Sequence, residues 1–148
     1  MELLVDNKKA RFNYEILEKY VAGIELLGFE VKALKNHRGS LEGSFIAIRG
    51  GEAYLINANI PPYQLGNTSE KYDPYQNRRL LLKKSEIKEL AVKEATKGLT
   101  IAPLAVYNAD GKIKVQIAIV KGKKKFDKRE TIKKRDTDRE LRRDLKDH

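Results

Sequence analysis

Between Lys121 and Arg129, six basic residues and one acid surround a single aromatic, Phe126. Such a cluster suits a polyanion, because each phosphate it neutralises releases condensed counterions. The same charge also serves a solvated tail that keeps a domain soluble. A membrane surface fits less well, since the segment lacks the broad apolar face that an interfacial helix buries in lipid. A second group lies upstream, from Pro61 to Arg79, where Tyr63, Tyr72 and Tyr75 precede Arg78 and Arg79 in a stretch rich in polar residues. These rings can stack on bases or ribose while the arginines pair phosphates. Alternatively, the tyrosines cap an open barrel end and the arginines are simply exposed. The stretch is longer than a plain connection requires, which marks it as a functional-loop candidate.

Covalent and metal chemistry have little to work with. The 148 residues include no Cys and two His, His37 and His148. Disulfides, thiol catalysis and Cys-ligated metal sites are therefore excluded, and a classical metal centre is not supported. There is no Gly-rich phosphate loop ending in Lys-Ser/Thr, no nucleophile elbow and no paired-His zinc motif. Glu86 and Glu89 read as solvated charges on the exposed side of a helix. His37 reads as a residue at a helix end that meets the terminus or a phosphate. No catalytic residue, metal or cofactor is expected. With no long apolar run and no signal-like start, neither a membrane span nor a signal peptide is read, and the expected compartment is the cytoplasm.

The elements that must hold these residues follow from periodicity. Phe12, Tyr14 and Ile16 alternate with polar neighbours until Gly23 interrupts, which predicts a long first strand that is bulged or bent there. Gly50-Gly51 separates two alternating runs as a hairpin turn with positive φ, setting Arg49 opposite Glu52. Lys112 to Val120 is the clearest strand, with Ile113, Val115, Ile117 and Ile119 on one side and Lys112, Lys114 and Gln116 on the other. It pairs with Leu99 to Tyr107 through Asn108 to Gly111, and Pro103 predicts an edge or a bulge in that partner. Gly28 to Gly39 contains a short helix, with an acid in its first turn and bases in its last. A second helix runs from a Ser85 cap to Lys97, with Ile87, Leu90, Ala91 and Ala95 on one stripe and Gly98 as its stop. Five or six antiparallel strands with two or three short helices predict a mainly β fold, a small closed Greek-key barrel of the oligonucleotide-binding (OB) kind. Parallel α/β is not supported, because strands do not alternate with crossover helices.

Of a net charge of +10, the last 28 residues hold 13 Lys or Arg against 7 Asp or Glu. Residues 1–120 therefore read as the barrel domain and 121–148 as a basic tail. From Lys128 to Lys146 the composition favours helix, yet its aliphatic residues are only Ile132, Leu141 and Leu145. Ordering costs about 1–2 kcal/mol per residue, so the tail is expected to be unfolded alone and to fold on binding.

Particular stretches carry a family resemblance: Asn7-Lys8-Lys9-Ala10-Arg11-Phe12-Asn13-Tyr14, Ala22-Gly23-Ile24, Gly28-Phe29-Glu30-Val31-Lys32-Ala33-Leu34, Asp73-Pro74 leading to Arg78-Arg79-Leu80-Leu81-Leu82, and Gly122-Lys123-Lys124 with Asp127-Lys128-Arg129. In order and combination they resemble the small protein B family, the SsrA-binding proteins of bacterial trans-translation. The resemblance implies an OB barrel, monomeric in the complex, that grips the transfer-RNA-like part of transfer-messenger RNA in the ribosomal A site. Elongation factor Tu would be met only indirectly, through the aminoacylated RNA. It further implies an RNA face made by Asn7, Lys8, Lys9 and Arg11, by Glu30, Lys32 and Lys35, and by Arg78, Arg79 and Leu81. The tail would occupy the empty messenger path of the small subunit's decoding region. There Gly122 would supply a bend, Lys123, Lys124, Lys128 and Arg129 phosphate contacts, Phe126 beside Asp127 a stacking surface, and Ile132 a seat for the helix. The chain departs from the family pattern at Val21, where Glu is usual, at Phe126, where His or Tyr is usual, and at Gln76, where a base is common.

Overall fold

A computed structural model describes residues 1–63 and 71–123. The long alternating segments form strands where expected, and two elements that alternation did not reveal lie at the start. In chain order the elements are β1 (Glu2–Asp6), α1 (Lys8–Asn13), β2 (Tyr14–Ile24), α2 (Gly28–Lys35), β3 (Phe45–Arg49), β4 (Glu52–Ile56), β5 (Arg78–Leu81), α3 (Lys84–Glu94), β6 (Leu99–Ala109) and β7 (Lys112–Gly122). Phe12 thus belongs to a helix, not to the first strand. α1 begins because the Asn7 side chain accepts the Ala10 N–H at 3.2 Å, the usual service of an N-cap asparagine. Its Nδ2 donates to the Pro103 carbonyl at 2.8 Å, tying the helix start to β6.

Among the described residues the strands make one antiparallel sheet in the order β1, β6, β7, β2, β5, β4, β3. No ladder joins β1 to β3 among them, so the expected closure is not made by hydrogen bonds. The physical reason lies in α3, which packs against both β3 and β6 at that seam. Its Glu94 carboxylate accepts the Ile48 N–H of β3 at 2.9 Å, occupying an edge group that a neighbouring strand would otherwise pair. α3 starts at Lys84, where the Glu86 side chain accepts the Lys83 N–H at 3.0 Å. The expected Ser85 cap and the extension to Lys97 are therefore both corrected; the helix ends at Glu94, with Gly98 at φ +84° beyond it.

Both hairpin turns follow their sequences. Gly50 and Gly51 take φ of +58° and +76°, and Arg49 faces Glu52. Asp110 and Gly111, at +50° and +80°, link β6 to β7. Pro103 sits at a register shift between β6 and β7, a bulge within an interior strand. In β2 the shift falls between Ile16 and Glu18, and Gly23 serves a different purpose. There β2 passes from β7 to β5, and a Cβ on Gly23 would stand 3.2 Å from the Leu81 Cβ.

The main core lies inside the coiled sheet, built from Leu34, Ile46, Leu55, Leu80, Leu90, Ile101, Val115, Ile117 and Ile119, with α2 and α3 contributing one leucine each. A smaller cluster occupies the outer face, where α1 lays Ala10 over Ala102, Leu104, Ala118 and Val120. The C-terminal half of β7 is thus buried on both faces, which explains its unbroken apolar run.

Candidate nucleic-acid interface

Strand register fixes which side chains share the outer face of the sheet. Leu3 is opposite Tyr107, Tyr107 opposite Lys114, Lys114 opposite Gly23, and Gly23 opposite Leu81. Residues directly opposite in antiparallel strands share a face, so one row crosses five strands. A second row places Val21 opposite Gln116, then Ala105, then Asp6. Leu3, Val21 and Leu81 are about half exposed, which identifies this as the solvent side. A cavity of about 450 Å³ opens in it between Gly23, Leu81, Lys114, Ile113 and the α2 residue Val31. Ala118, beneath α1, lies four residues along β7 from Lys114. The helix therefore covers one end of the face and leaves the other open, about 13 Å away at ~3.3 Å per residue.

The open surface combines apolar floor with positive rim. Lys8, Lys9 and Arg11 project from α1, Lys32 and Lys35 are exposed on α2, and Lys114 rises from the floor. Lys9 pairs with Glu42, and Arg11 approaches Asp6 at 3.1 Å. Arg79 shares the outer face with Leu81, two residues away on β5, and is clamped between Glu52 (3.0 Å) and Glu25 (2.7 Å). Hydrogen bonds to both carboxylates hold its guanidinium pKa above the ordinary arginine value.

Three of the residues expected at this face lie inside instead. Glu30 and Arg78 are 1% and 2% exposed. Arg78 donates to Glu30 Oε2 from Nε (2.9 Å) and Nη2 (2.7 Å), and to the Ala58 and Pro74 carbonyls at 2.7 and 2.9 Å. Glu30 Oε1 accepts the Leu27 N–H at 2.8 Å, closing the first turn of α2. Burial alone would raise the Glu30 pKa, but the Leu27 amide and the Arg78 guanidinium outweigh it and hold the carboxyl below its usual range. Asn7, 6% exposed, is occupied by its cap and its Pro103 bond. These side chains offer little free surface; they position α1, α2 and β5.

The tyrosines of the long segment differ in how far they are buried and in what holds them. Tyr72 joins the Glu30 network, its hydroxyl 2.9 Å from Glu30 Oε2 and 2.7 Å from the Ile60 carbonyl, its ring edge-to-face with Phe29 at 4.6 Å. Burial first, and the Glu30 carboxylate second, push its pKa up to about 12. Gln76 donates to the same Glu30 oxygen at 3.3 Å. Tyr63 lies partly buried at the core margin, with Arg38 5.9 Å over its ring. Tyr75 is half exposed. Residues 64–70 lie outside the described residues.

His37 ends α2 with its Nδ1 3.2 Å from the Leu4 carbonyl and its Nε2 3.5 Å from Glu2, joining the helix to β1. Where β7 ends, Gly122 lies opposite Tyr14, and the Lys123 N–H donates to the Asn13 carbonyl at 2.9 Å. The tail therefore departs from the end of α1. Lys124, Phe126, Asp127, Lys128, Arg129 and Ile132 lie outside the described residues. Among the described residues, no group of three His, Cys, Asp or Glu is placed to hold a metal, and no helix is long and apolar enough to cross a membrane.

Sequence reading overlooked Lys114, Gln116, Tyr107 and Leu3. The alternation of β7 did set Lys114 and Gln116 opposite the core face, but only cross-strand register brings them beside Leu81.

Comparison with known proteins now adds lineage to geometry. The family model described as SmpB protein matches residues 4–147. The chain is 50% identical over 147 residues to the SsrA-binding protein of Thermosipho africanus, covering 99% of this chain and 98% of that one. It is 48% identical over 145 residues to the SsrA-binding protein of Ligilactobacillus salivarius, covering 98% and 93%. A solved structure described as "tmRNA-SmpB: a journey to the center of the bacterial ribosome" superposes with a TM-score of 0.71 at 43% identity, covering 84% of this chain and 87% of that one. By full-length sequence match and by fold, the chain belongs to the SmpB protein family.

Proposed function

We propose that this chain binds the transfer-RNA-like part of transfer-messenger RNA and delivers it to the A site of stalled ribosomes for trans-translation. Its place in a family of SsrA-binding proteins supports that reading. The observation that carries it is the outer face. An apolar floor of Val21, Gly23 and Leu81 adjoins Lys114 through the strand pairing, and the α1 bases stand at the covered end of the same sheet face. Lys8, Lys9, Arg11, Lys32 and Lys35 supply phosphate contacts, Leu81 packs against a base or sugar, and Arg79 adds charge once its carboxylate clamp yields. Asn7, Glu30 and Arg78 act behind the surface by fixing α1, α2 and β5. We infer further that the coiled sheet works as an OB-type barrel, its seam filled by α3, with no catalytic residue of its own.

Residues 1–120 form the RNA-gripping domain and 121–148 a separate ribosome probe. In that division Gly122, Lys123, Lys124, Lys128 and Arg129, with Phe126, Asp127 and Ile132, engage the decoding site and the empty message channel. The partners are then transfer-messenger RNA, the ribosome and, through the aminoacylated RNA alone, elongation factor Tu; the compartment is the cytoplasm. A gel-shift titration against transfer-messenger RNA at physiological salt, with excess bulk transfer RNA as competitor, tests the reading. Tight binding should survive the competitor. Binding that the competitor abolishes would leave a general basic RNA-binding module.

A further inference from the structure

The outer face is rimmed by bases, yet two acids stand at the end where β5 lies. Glu25, just beyond β2, and Glu52, the first residue of β4, come from the two neighbours of β5 in the sheet and converge on Arg79. The Glu25 N–H donates to the Arg79 carbonyl at 3.0 Å, so the two backbones are tied before the side chains meet. Tyr54 is opposite Arg79, and Glu52, two residues before Tyr54, projects from the same face of β4. Register thus delivers both carboxylates: Arg79 donates from Nε to Glu52 at 3.0 Å and from Nη1 to Glu25 at 2.7 Å. Glu52 also stands opposite Arg49 across the β3–β4 hairpin, but the ion pair it makes is with Arg79.

Lys9 and Arg11 on α1 each pair with one acid, Glu42 and Asp6. Arg79 pairs with two, so its cluster sets one cation against two anions. The guanidinium is nevertheless within reach. Its side chain is 40% exposed, and Nη2 takes no part in either carboxylate bond. A cleft of about 390 Å³ opens beside it between Glu25, Leu27, Tyr54 and Asn77. An unclamped arginine fork next to an apolar floor would take a phosphate from any passing RNA, bidentately and at a net gain. Here a phosphate must displace carboxylates that already fill the fork, and it meets their repulsion as it approaches. Contact with Arg79 becomes an exchange of partners and adds little to the hold.

We infer that Glu25 and Glu52 limit the affinity of the outer face: they hold Arg79 in reserve and so set how tightly, and for how long, that face keeps its RNA. The inference rests on the function proposed above and concerns the same surface. These carboxylates act by what they withhold, since a face made of bases alone takes up whatever polyanion arrives. Within one interface most differences in affinity appear in the dissociation rate. The clamp therefore shortens the life of the complex more than it slows its formation.

The test compares the full wild-type chain with a Glu25→Gln, Glu52→Gln double variant and with a triple variant that adds Arg79→Gln. Gln keeps the length of the glutamate side chain and a hydrogen-bond acceptor while removing its charge. Affinity and dissociation rate are measured on transfer-messenger RNA and on bulk transfer RNA across a potassium chloride series. The double variant should bind transfer-messenger RNA about fivefold more tightly at physiological salt, chiefly by slower dissociation, with a log–log salt slope steeper by about one unit, the mark of one added phosphate contact. The triple variant should fall back to within about twofold of the wild type, as loss of that contact requires. A Glu86→Gln, Glu89→Gln variant makes the same change of charge on α3 and should leave RNA affinity unchanged, and thermal unfolding should confirm an intact fold throughout. Unchanged affinity and slope in the double variant would overturn the inference. So would a gain that persists without Arg79 or that the α3 pair reproduces, since either would reduce the two acids to general charge. Wild-type binding that bulk transfer RNA abolishes would count against the function proposed above, while the same comparison on bulk transfer RNA would still decide whether the clamp restrains Arg79.

Discussion

Glu30 orders the elements around the proposed RNA face from inside the fold. It closes the first turn of α2 with one oxygen and holds Arg78, Tyr72 and Gln76 with the other. The helix and the return of the long loop are thereby fastened to β5. A carboxyl whose folded pKa lies below its unfolded value near 4.3 stabilises the fold at neutral pH, and that stabilisation is lost as pH falls through the folded value. Glu30→Gln should therefore cost about 3–5 kcal/mol at pH 7, because it leaves a buried guanidinium uncompensated. In urea denaturation the gap between the two proteins should narrow as the pH drops below the unfolded value and close under the folded one; a gap independent of pH would refute the assignment. The sequence displayed Glu30 as an acid in a first helical turn and Arg78 as one of two adjacent bases. It could not display their pairing across 48 positions, because alternation along a short strand does not say which of two arginines faces inward.

At the level of elements, the legible parts were those with long periods or obligatory turn residues. β7 announced itself by four alternating aliphatics, and both hairpins by residues that accept positive φ. β1 and α1 were not legible. β1 has only three consecutive apolar residues between two acids, too few to show a period, and the six of α1 include Phe12, whose spacing to Tyr14 and Ile16 mimics a strand. What makes α1 a helix is largely tertiary: Asn7 caps it and fastens it to Pro103, and Ala10 seals the outer cluster. Asn7→Ala should then lower stability by about 0.5–2 kcal/mol for the cap and weaken RNA binding along with it. Lys8→Ala should weaken RNA binding and reduce its salt dependence with no loss of stability. Paired thermal melts and salt-series titrations separate the two, and equal melting losses would put Lys8 among the structural residues instead.

For the whole molecule, the concentration of basic charge in the last 28 residues was visible in the sequence, while the open seam of the sheet was not. Strand count and antiparallel pattern suggested a closed barrel; which edge a helix would occupy depends on Glu94 reaching Ile48 across 46 positions. Truncation after Lys123 removes none of the outer face and keeps the bond to Asn13. It should leave affinity for transfer-messenger RNA largely unchanged while abolishing peptide tagging on stalled ribosomes. If RNA affinity collapsed instead, the gripping surface would have to include the tail.

The pairing of β7 bears on how this chain can change length over time. β7 is held in register by β2 on one side and β6 on the other along nearly its full span. One residue inserted within it would exchange Ile117 and Ile119 with Gln116 and Ala118, turning the interior outward and the outer face inward. The same residue inserted beyond Lys123 would leave this register untouched. Drift in length should therefore be purged between Lys112 and Gly122, where the neighbouring strands on both sides would have to be rebuilt with it.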